Sequence, residues 1–341
     1  MRKLLLTLTL LITAAATAVA APVSLERARA EAMKTLGKAK PAAQVKGKAA
    51  AGQPKLELAK QAVGTKGKAV NATLYYVFNN VNDGGMVVIA GDDRVRPILA
   101  YTDKGGYDAT KTNPAVRWWF EAIEAAMTSV INNGGQTSPQ NRAAEEPRKA
   151  VNPLVQTQWS QSEPYNLLCP YDQEHGGLSL SGCVATAMAQ VLYYWRYPEH
   201  GTGTVSYTTI THGFAIEENL EDYTFDYDKM TTTYSDDSSE EARQAVAELM
   251  YACGVATEMD YCAYGSGTNI SPQMLTKHFG IDKSCSQLYR AFFTTDKWEE
   301  IIRKELDEGR PVLYSGSSLE GGHQFVCDGY DETGLYHINW G

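Results

Sequence analysis

The stretch LSLSGCVATAMAQVLYYW (residues 178–195) decides how the second half of the chain is interpreted. Gly182 permits a sharp turn, and an apolar, alanine-rich run with helical spacing follows it. Cys183 therefore stands in the first turn of a predicted helix. On their own, these residues leave three interpretations of the cysteine open: a small buried thiol, half of a disulfide, or a nucleophile. One predicted apolar face could bury this helix; its members are Val184, Ala187, Met188, Val191 and Trp195.

The position of Cys183 supports the nucleophile interpretation on electrostatic grounds. The first N–H groups of a helix have no intrahelical partner, and the helix dipole stabilises a negative charge beside them. A thiol at that position is expected to have a lowered pKa, and the thiolate is the reactive form. The same N–H groups can hold an oxyanion that forms during acyl transfer.

A nucleophilic cysteine needs a base, and His323 has the most suitable surroundings among the six histidines. It follows Gly321 and Gly322, which would let a substrate backbone come close, and it opens a predicted strand. A single histidine in such a place is often purely structural. Asn339, on the returning strand of a predicted hairpin, could accept a hydrogen bond from the His323 ring and orient it. Trp340 could shield that bond from water.

The first half of the chain carries a different pattern, typical of a small α+β unit. A helix is predicted at 22–36 with Ser24 as its N-cap, and a loop at 37–53. Turn residues then separate short β-branched and aromatic runs, which is typical of an antiparallel meander. A helix and a polar linker with the Arg148-Lys149 dipeptide follow. The predicted strands are 73–80, 85–92 and 95–103, the helix is 113–133, and the linker is 134–150.

The second half places most of its helices before its strands, which predicts an α+β fold with segregated halves. The last two strands are separated by a short turn-rich loop and are expected to form a hairpin. The predicted helices are 183–195, 239–253, 271–279 and 296–308, and the predicted strands are 310–316, 323–330 and 335–340.

Composition narrows the class of protein. The chain has 341 residues, enough for about two domains, and a net charge of −9, which disfavours nucleic-acid binding. Residues 1–20 have a basic start, an apolar stretch and an Ala-Val-Ala ending, so they predict a secretory signal peptide. A membrane anchor is the alternative. No later segment is apolar for long enough to cross a bilayer, so we expect an exported protein, extracellular or on the cell surface.

The six cysteines of an exported chain could form disulfides, but no pairing follows from their spacing. The sequence has no Cys-x-x-Cys or His-x-x-x-His pair, so a zinc site is weakly supported. We therefore expect no metal and no cofactor.

Motifs along most of the chain occur together in one known family. The C-terminal motifs are WSQSEPYNLLCP, SGCVATAMAQVLYYWRYP, ELMYACGVATEMDY, GGHQFVCDGYD and YHINWG; the N-terminal ones are LYYVFN, VVIAGDDRVRPILAYTD and NPAVRWWFE. Together they resemble the streptopain family of bacterial papain-like cysteine peptidases, densely over residues 154–341 and more weakly over the N-terminal region, where the match is to the family's prodomain. The resemblance implies a papain-like domain with a helical half and an antiparallel-sheet half, preceded by a small α+β prodomain.

The resemblance also assigns roles at matching positions. Cys183 would be the nucleophile, and His323 the base and later the acid. Gln161, with the backbone N–H of Cys183, would form the oxyanion hole. Asn339 would orient His323, and Trp340 would shield that pair.

Substrate contacts follow more loosely from the same resemblance. The loop 264–269, which contains Ser266, is similar to a stretch that lines the family's substrate cleft. Gly321 and Gly322 would lie beside the bound peptide. The protein would act as a monomer on protein substrates, with its own prodomain as an intramolecular inhibitor.

The expected organisation is therefore a secreted zymogen. It comprises a signal peptide at 1–20, an inhibitory prodomain at 21–133, a linker with the activating cut at 134–150, and a peptidase domain at 151–341. That domain is expected to be C-terminally incomplete, because family members continue beyond the Asn-Trp-Gly motif. Two alternatives stay open: a transglutaminase or amidase with the same cysteine and histidine chemistry, and an inactive secreted binding protein.

Overall fold

The computed structural model describes residues 22–38, 54–65, 71–82, 84–111, 114–133, 149–318 and 321–341. The chain divides into two compact units, Met1–Ala144 and Glu145–Gly341. The predicted signal peptide and almost all of the predicted linker lie outside the described residues, as does most of the loop predicted at 37–53.

Within its described residues, the N-terminal unit comprises a four-stranded antiparallel sheet and two helices. Neighbouring strands pair in chain order, which agrees with the predicted meander, although the first strand was not predicted. The Ser24 hydroxyl accepts a hydrogen bond from the Arg27 N–H at 3.2 Å, as expected of an N-cap. The elements are α1 (Leu25–Lys38), β1 (Leu56–Val63), β2 (Thr73–Asn80), β3 (Met86–Ala90), β4 (Ile98–Thr102) and α2 (Pro114–Asn133).

Both faces of this sheet are covered, which explains the continuous apolar run in β2. Side chains of a strand alternate between faces. Tyr75 and Val77 pack in one apolar cluster with residues of α2, whereas Tyr76 and Phe78 pack in another with residues of α1. Because both faces of β2 are covered, its sequence shows no alternation of polar and apolar residues.

The C-terminal unit confirms the α+β prediction. Each predicted helix and strand is present, with ends shifted by a few residues, and two short hairpins were not predicted. The elements are β5 (Tyr171–Asp172), β6 (Gly177–Leu178), α3 (Cys183–Trp195), β7 (Thr204–Thr208), β8 (Ala215–Asn219), α4 (Glu240–Ala256), α5 (Pro272–Phe279), α6 (Thr295–Asp307), β9 (Val312–Ser318), β10 (Gly321–Tyr330) and β11 (Tyr336–Asn339). The last three strands form an antiparallel sheet in the order β11-β10-β9.

The helix α3 lies at the centre of this unit, packed between α4 and β10. Its burial is wider than the predicted single face, because Ala185 and Ala189 are also fully buried. Trp195, which was predicted to be on the buried face, is 48% exposed. Small side chains let the neighbouring elements approach closely, and this packing holds the first turn of α3 in place.

The start of the C-terminal unit is tied to the far end of β10. Val151 forms an antiparallel bridge with Tyr330, with N–H···O distances of 2.9 and 3.0 Å. The Leu154 N–H donates to the backbone carbonyl of Asp328 at 3.0 Å, and the Val155 N–H donates to its carboxylate at 2.7 Å. The Asp328 side chain is fully buried.

Among the helices of the described ranges, none combines the length and the apolar character that a membrane crossing requires.

Candidate active site

The turn before Cys183 requires glycine for two reasons. Gly182 has φ of +87°, a conformation that L side chains rarely adopt. A Cβ atom at this position would also lie 2.6 Å from Cε and Sδ of Met259 and 3.2 Å from the carbonyl oxygen of Ser266. The chain can therefore turn sharply into α3 only while position 182 has no side chain.

Cys183 is the first residue of α3 and is half-buried. Its Sγ accepts a hydrogen bond from the backbone N–H of Gln324 on β10 at 3.4 Å. Burial raises the pKa of the Cys183 thiol, and the N–H groups of Gln324, Val184 and Cys183 itself act in the opposite direction without overcoming it. The expectation of a lowered pKa is therefore wrong for this conformation, because loss of solvent outweighs the helix N-terminus.

His323 precedes Gln324 on β10, and its ring is locked by the chain near residue 340. Its Nε2 lies 2.7 Å from the backbone carbonyl oxygen of Trp340. A carbonyl oxygen can only accept, so Nε2 carries the hydrogen, and Nδ1 of the neutral ring has the free lone pair. Burial lowers the pKa of His323, and the hydrogen bond to Trp340 opposes that shift without cancelling it.

Asn339 does not make the predicted hydrogen bond to His323. Its Nδ2 donates to the backbone carbonyl of Thr157 at 2.7 Å, and its Oδ1 accepts from the Gly341 N–H at 3.3 Å. The strand register explains the difference, because Asn339 lies opposite Val326. That position is three residues, or about 10 Å, along β10 from His323. The neighbouring backbone carbonyl reaches the ring instead.

The Trp340 side chain lies beside His323. The two ring centroids are 6.0 Å apart with an interplanar angle of 24°, and the Trp340 and Phe325 centroids are 4.9 Å apart. The stretch around residue 340 thus supplies both an aromatic neighbour and a carbonyl partner for the histidine.

Gln161 lies close to the turn that contains Cys183. Its backbone carbonyl accepts hydrogen bonds from the Ser181 N–H at 3.0 Å and from the Ser181 hydroxyl at 3.3 Å. Ser181 is two residues before Cys183, so this pairing holds Gln161 near Cys183 in the fold. The half-buried Gln161 side chain makes no hydrogen bond with another residue of the described ranges, so its amide is available to a ligand.

The predicted substrate contacts differ from one another. Ser266 is 8% exposed, and its hydroxyl accepts from the Cys262 N–H and donates to the Cys262 carbonyl, so it closes its own loop. Gly321 and Gly322 are exposed at the start of β10, opposite Ser318 and Ser317 of β9. Space around a Cβ at Gly321 is open.

Sequence reasoning missed a buried polar pair that supports this region. The Thr157 hydroxyl donates to Oε1 of Gln190 at 2.6 Å, while the Thr157 carbonyl accepts from Asn339. A Cβ at Gly341 would lie 2.9 Å from Thr186 of α3, the helix that also contains Gln190. The sequence signal was Gln190 itself, because an amide in an apolar helical run needs a hydrogen-bond partner when that helix is buried.

Two family models match the chain. The model of the peptidase C10 family matches residues 159–341. The model of the Spi protease inhibitor matches residues 20–127.

Similar proteins include two named proteases. Streptopain of Streptococcus pyogenes is 32% identical over 295 residues, which are 81% of this chain and 73% of streptopain. Thiol protease/hemagglutinin PrtT of Porphyromonas gingivalis is 32% identical over 284 residues; these are 79% of this chain, which spans only 32% of PrtT's length.

Solved structures with similar folds come from Prevotella intermedia. A mutant prointerpain A fragment superposes with a TM-score of 0.73 at 33% identity, covering 84% of this chain and 88% of that one. Active wild-type interpain A superposes with a TM-score of 0.53 at 36% identity, covering 58% of this chain and 86% of that one.

Proposed function

The chain belongs to the peptidase C10 family and is a cysteine-type peptidase with an N-terminal region similar to a protease inhibitor; from that premise we propose that it is a secreted zymogen whose Cys183 and His323 hydrolyse peptide bonds of protein substrates. One observation carries the assignment of the pair. The Gln324 N–H donates to Cys183 Sγ, so the start of α3 meets β10 one residue from His323.

The first step is transfer of the thiol proton to the histidine. Nε2 of His323 holds its hydrogen against the Trp340 carbonyl, which leaves Nδ1 to accept the proton from Sγ. Both pKa shifts favour the neutral thiol and the neutral imidazole before substrate binds. His323 therefore acts as a general base while Sγ forms its bond to the scissile carbonyl carbon.

The tetrahedral intermediate carries a negative oxygen that needs hydrogen-bond donors. The Cys183 N–H at the start of α3 is one donor, and the side-chain amide of Gln161 is the other. Support for Gln161 comes from its backbone pairing with Ser181, which holds it beside the turn into α3.

Collapse of the intermediate breaks the peptide C–N bond. The proton on His323 Nδ1 goes to the leaving amine, and the acyl group stays on Sγ as a thioester. A water molecule then loses its proton to His323 and attacks the thioester carbonyl, so that the carboxylic acid leaves and the Cys183 thiol is restored. The Trp340 side chain would shield the His323 ring from water.

Latency and export complete the proposal. The prodomain at 21–133 would hold the peptidase domain at 151–341 inactive until the linker at 134–150 is cut. The signal peptide at 1–20 would direct the chain out of the cell. Replacement of Arg148 and Lys149 by alanine should slow that cut by trypsin-like proteases and delay the appearance of activity; equal processing of the variant would place the cut elsewhere.

The test of the proposed function compares two cysteine variants of the full chain after processing by an added protease. Cys183→Ala should abolish hydrolysis of a casein substrate, while Cys285→Ser, which removes a different half-buried thiol, should retain it. Hydrolysis that persists in Cys183→Ala would refute the assignment. A parallel reaction with a free amine separates hydrolysis from acyl transfer, because amide products without cleavage would indicate the transglutaminase chemistry.

A further inference from the structure

We propose that Asp172, His175, His212 and Cys262 bind one Zn²⁺ ion, at a site independent of the proposed peptidase chemistry. One potential ligand atom from each of the four side chains lies within 4.8 Å of the other three. The four residues come from three segments that are far apart in sequence: the β5–β6 hairpin, the β7–β8 loop and the loop after α4. The spacing therefore contains no recognisable zinc motif, and sequence reasoning expected no metal.

The distances suit a tetrahedral ion after small side-chain rotations. His175 Nδ1 lies 2.7 Å and His212 Nε2 lies 3.2 Å from the same carboxylate oxygen, Oδ2 of Asp172. Bond lengths of 2.0–2.3 Å to nitrogen, oxygen and sulfur imply ligand–ligand separations of about 3.3–3.8 Å in a tetrahedral zinc site. The two separations from Oδ2 of Asp172 are shorter than that range, and the 4.8 Å limit of the cluster is longer. The side chains would therefore have to adjust by about 0.1–1 Å to surround one ion.

His212 provides the observation that points to a ligand rather than to an ion pair alone. Its side chain is 10% exposed, and its Nε2 is buried without a hydrogen-bond partner. The neighbouring Asp172 oxygen is near enough for an ion pair, but the bond angles are not those of a hydrogen bond. A buried imidazole nitrogen left without a partner is costly unless something else occupies its lone pair.

The other nitrogen of His212 faces a carboxylate. Nδ1 lies 3.6 Å from Oε2 of Glu174. Histidines that ligate metals commonly donate their second N–H to a carboxylate, which fixes the ring and makes the ligating nitrogen more basic. A small movement of the exposed Glu174 side chain would bring its carboxylate within hydrogen-bond distance for that supporting role.

Asp172 is held in place before any ion arrives. Its side chain is completely buried, and it accepts hydrogen bonds from the backbone N–H groups of Glu174, His175 and Ala263 at 3.0–3.2 Å. These contacts favour the ionised carboxylate, because both of its oxygens accept hydrogen bonds. The carboxylate thus joins the β5–β6 hairpin to the residue after Cys262, and it brings a negative charge to the site.

The ligand set favours zinc over the hard cations. Ca²⁺ and Mg²⁺ prefer an all-oxygen shell, whereas thiolate and imidazole together suit Zn²⁺. Four protein ligands fill a tetrahedral shell, which is typical of a structural site. On binding, Cys262 loses its proton to solvent and its thiolate forms the fourth bond.

A zinc ion at this site would stabilise the chain segment that precedes Cys183. The Leu180 N–H donates to the Cys262 carbonyl at 3.1 Å, and the loop closed by Ser266 contacts the turn at Gly182. The ion would therefore link three segments, one of which is hydrogen-bonded to Leu180, three residues before Cys183.

The experiment uses the full chain with Cys183→Ala, which removes a competing thiol at the active site. After zinc loading and gel filtration, elemental analysis should find one zinc per chain, and a chelator should lower Tm reversibly. Cobalt in place of zinc should give thiolate charge-transfer absorption. Adding Cys262→Ser or His212→Ala should weaken zinc affinity at least tenfold and remove the chelator effect.

Cys285→Ser and His200→Asn, which alter a thiol and an imidazole elsewhere, are the matched controls and should keep the zinc. In a second measurement that needs no ligand variant, zinc should protect Cys262 but not Cys285 from alkylation, as read by peptide mass spectrometry. The absence of bound zinc, or equal zinc binding in Cys262→Ser and His212→Ala, would overturn the proposal. Equal alkylation of Cys262 with and without zinc would also overturn it.

Discussion

Cys183 and Cys262 are both half-buried thiols near histidine, but the groups around them differ. Cys183 begins a helix, its sulfur accepts a backbone N–H, and the nearby His323 has its Nε2 engaged by a carbonyl. Cys262 belongs to a cluster with two histidines and a buried carboxylate. Backbone N–H groups with one base suit a nucleophile, whereas a carboxylate with two imidazoles suits a bound cation. The remaining neighbours, and not the cysteine–histidine pair itself, therefore decide the chemistry.

The largest expected effect comes from replacing His323, the histidine near Cys183. His323→Ala should lower kcat/KM by a factor of about 10³–10⁴, because it removes both the base and the acid. His200→Asn, at an exposed histidine outside both clusters, serves as the control and should change kcat/KM little. Steady-state hydrolysis of a fluorogenic peptide by the processed enzyme measures both. A loss below tenfold in His323→Ala would mean that another group takes the Cys183 proton.

The turn at Gly182, where the loop of Cys262 touches the start of α3, should give the next largest effect. Gly182→Ala should lower the free energy of unfolding by about 3 kcal/mol. Two costs combine: alanine is strained at this positive φ, and its Cβ overlaps with the Met259 side chain. Gly203→Ala isolates the strain, since Gly203 has φ of +78° and open space around its Cβ position. Urea unfolding measures both, and equal losses would show that Met259 moves aside.

Asn339 should give a smaller effect that distinguishes two roles. Asn339→Ala should lower kcat about tenfold with KM nearly unchanged. The reason is that the Asn339 side chain, through its bond to the Thr157 carbonyl, holds the segment whose Trp340 carbonyl contacts His323. Asn339→Asp should behave the same way, since a carboxylate cannot donate to the Thr157 carbonyl. If Asn339 instead accepted from His323, Asp would retain most of the activity. Measured kcat values for both variants decide between these roles.

The smallest expected effect lies in the pH dependence of the two thiols. Burial raises the pKa of Cys183 above its ordinary 9.0, so its thiolate fraction is small at neutral pH and grows as pH rises through 9.0. Its alkylation rate in the unprocessed full chain should therefore keep increasing up to and beyond that pH. A rate that is already flat between pH 6 and 8 would indicate a preformed thiolate. With zinc added, Cys262 should stay unmodified over the same range.

Much of the fold follows from local patterns. The helical spacing of the apolar run before Trp195 predicted α3, and the turn residues between short β-branched and aromatic runs predicted three strands of the N-terminal unit. The hairpin β5–β6 was missed because strands of two residues are too short to show a periodic pattern. In the hairpin β7–β8, β7 does alternate polar and apolar residues, but over only five residues. The edge strand β1 was missed because charged and amide residues interrupt its apolar positions, and only one of its eight residues is buried.

The candidate site was predictable in its membership but not in its contacts. Motif resemblance drew attention to Cys183, His323 and Gln161, whereas the partner of the histidine depends on strand register. A displacement of Asn339 by three residues along β10 is invisible in sequence and changes which group reaches the ring. The zinc cluster was unpredictable, because its members come together only through tertiary packing of three loops.

The hydrogen bonds at the start of the C-terminal unit limit how far proteases can trim the N-terminus of the matured enzyme. Val151, Leu154 and Val155 each donate a backbone N–H to the end of β10, and two of these bonds involve a completely buried residue, Asp328. Trimming proteases need an extended, unpaired backbone, so digestion from a cut in 134–150 should pause at Val151. Preparations matured by different proteases should then share one common limit, whatever the position of the first cut.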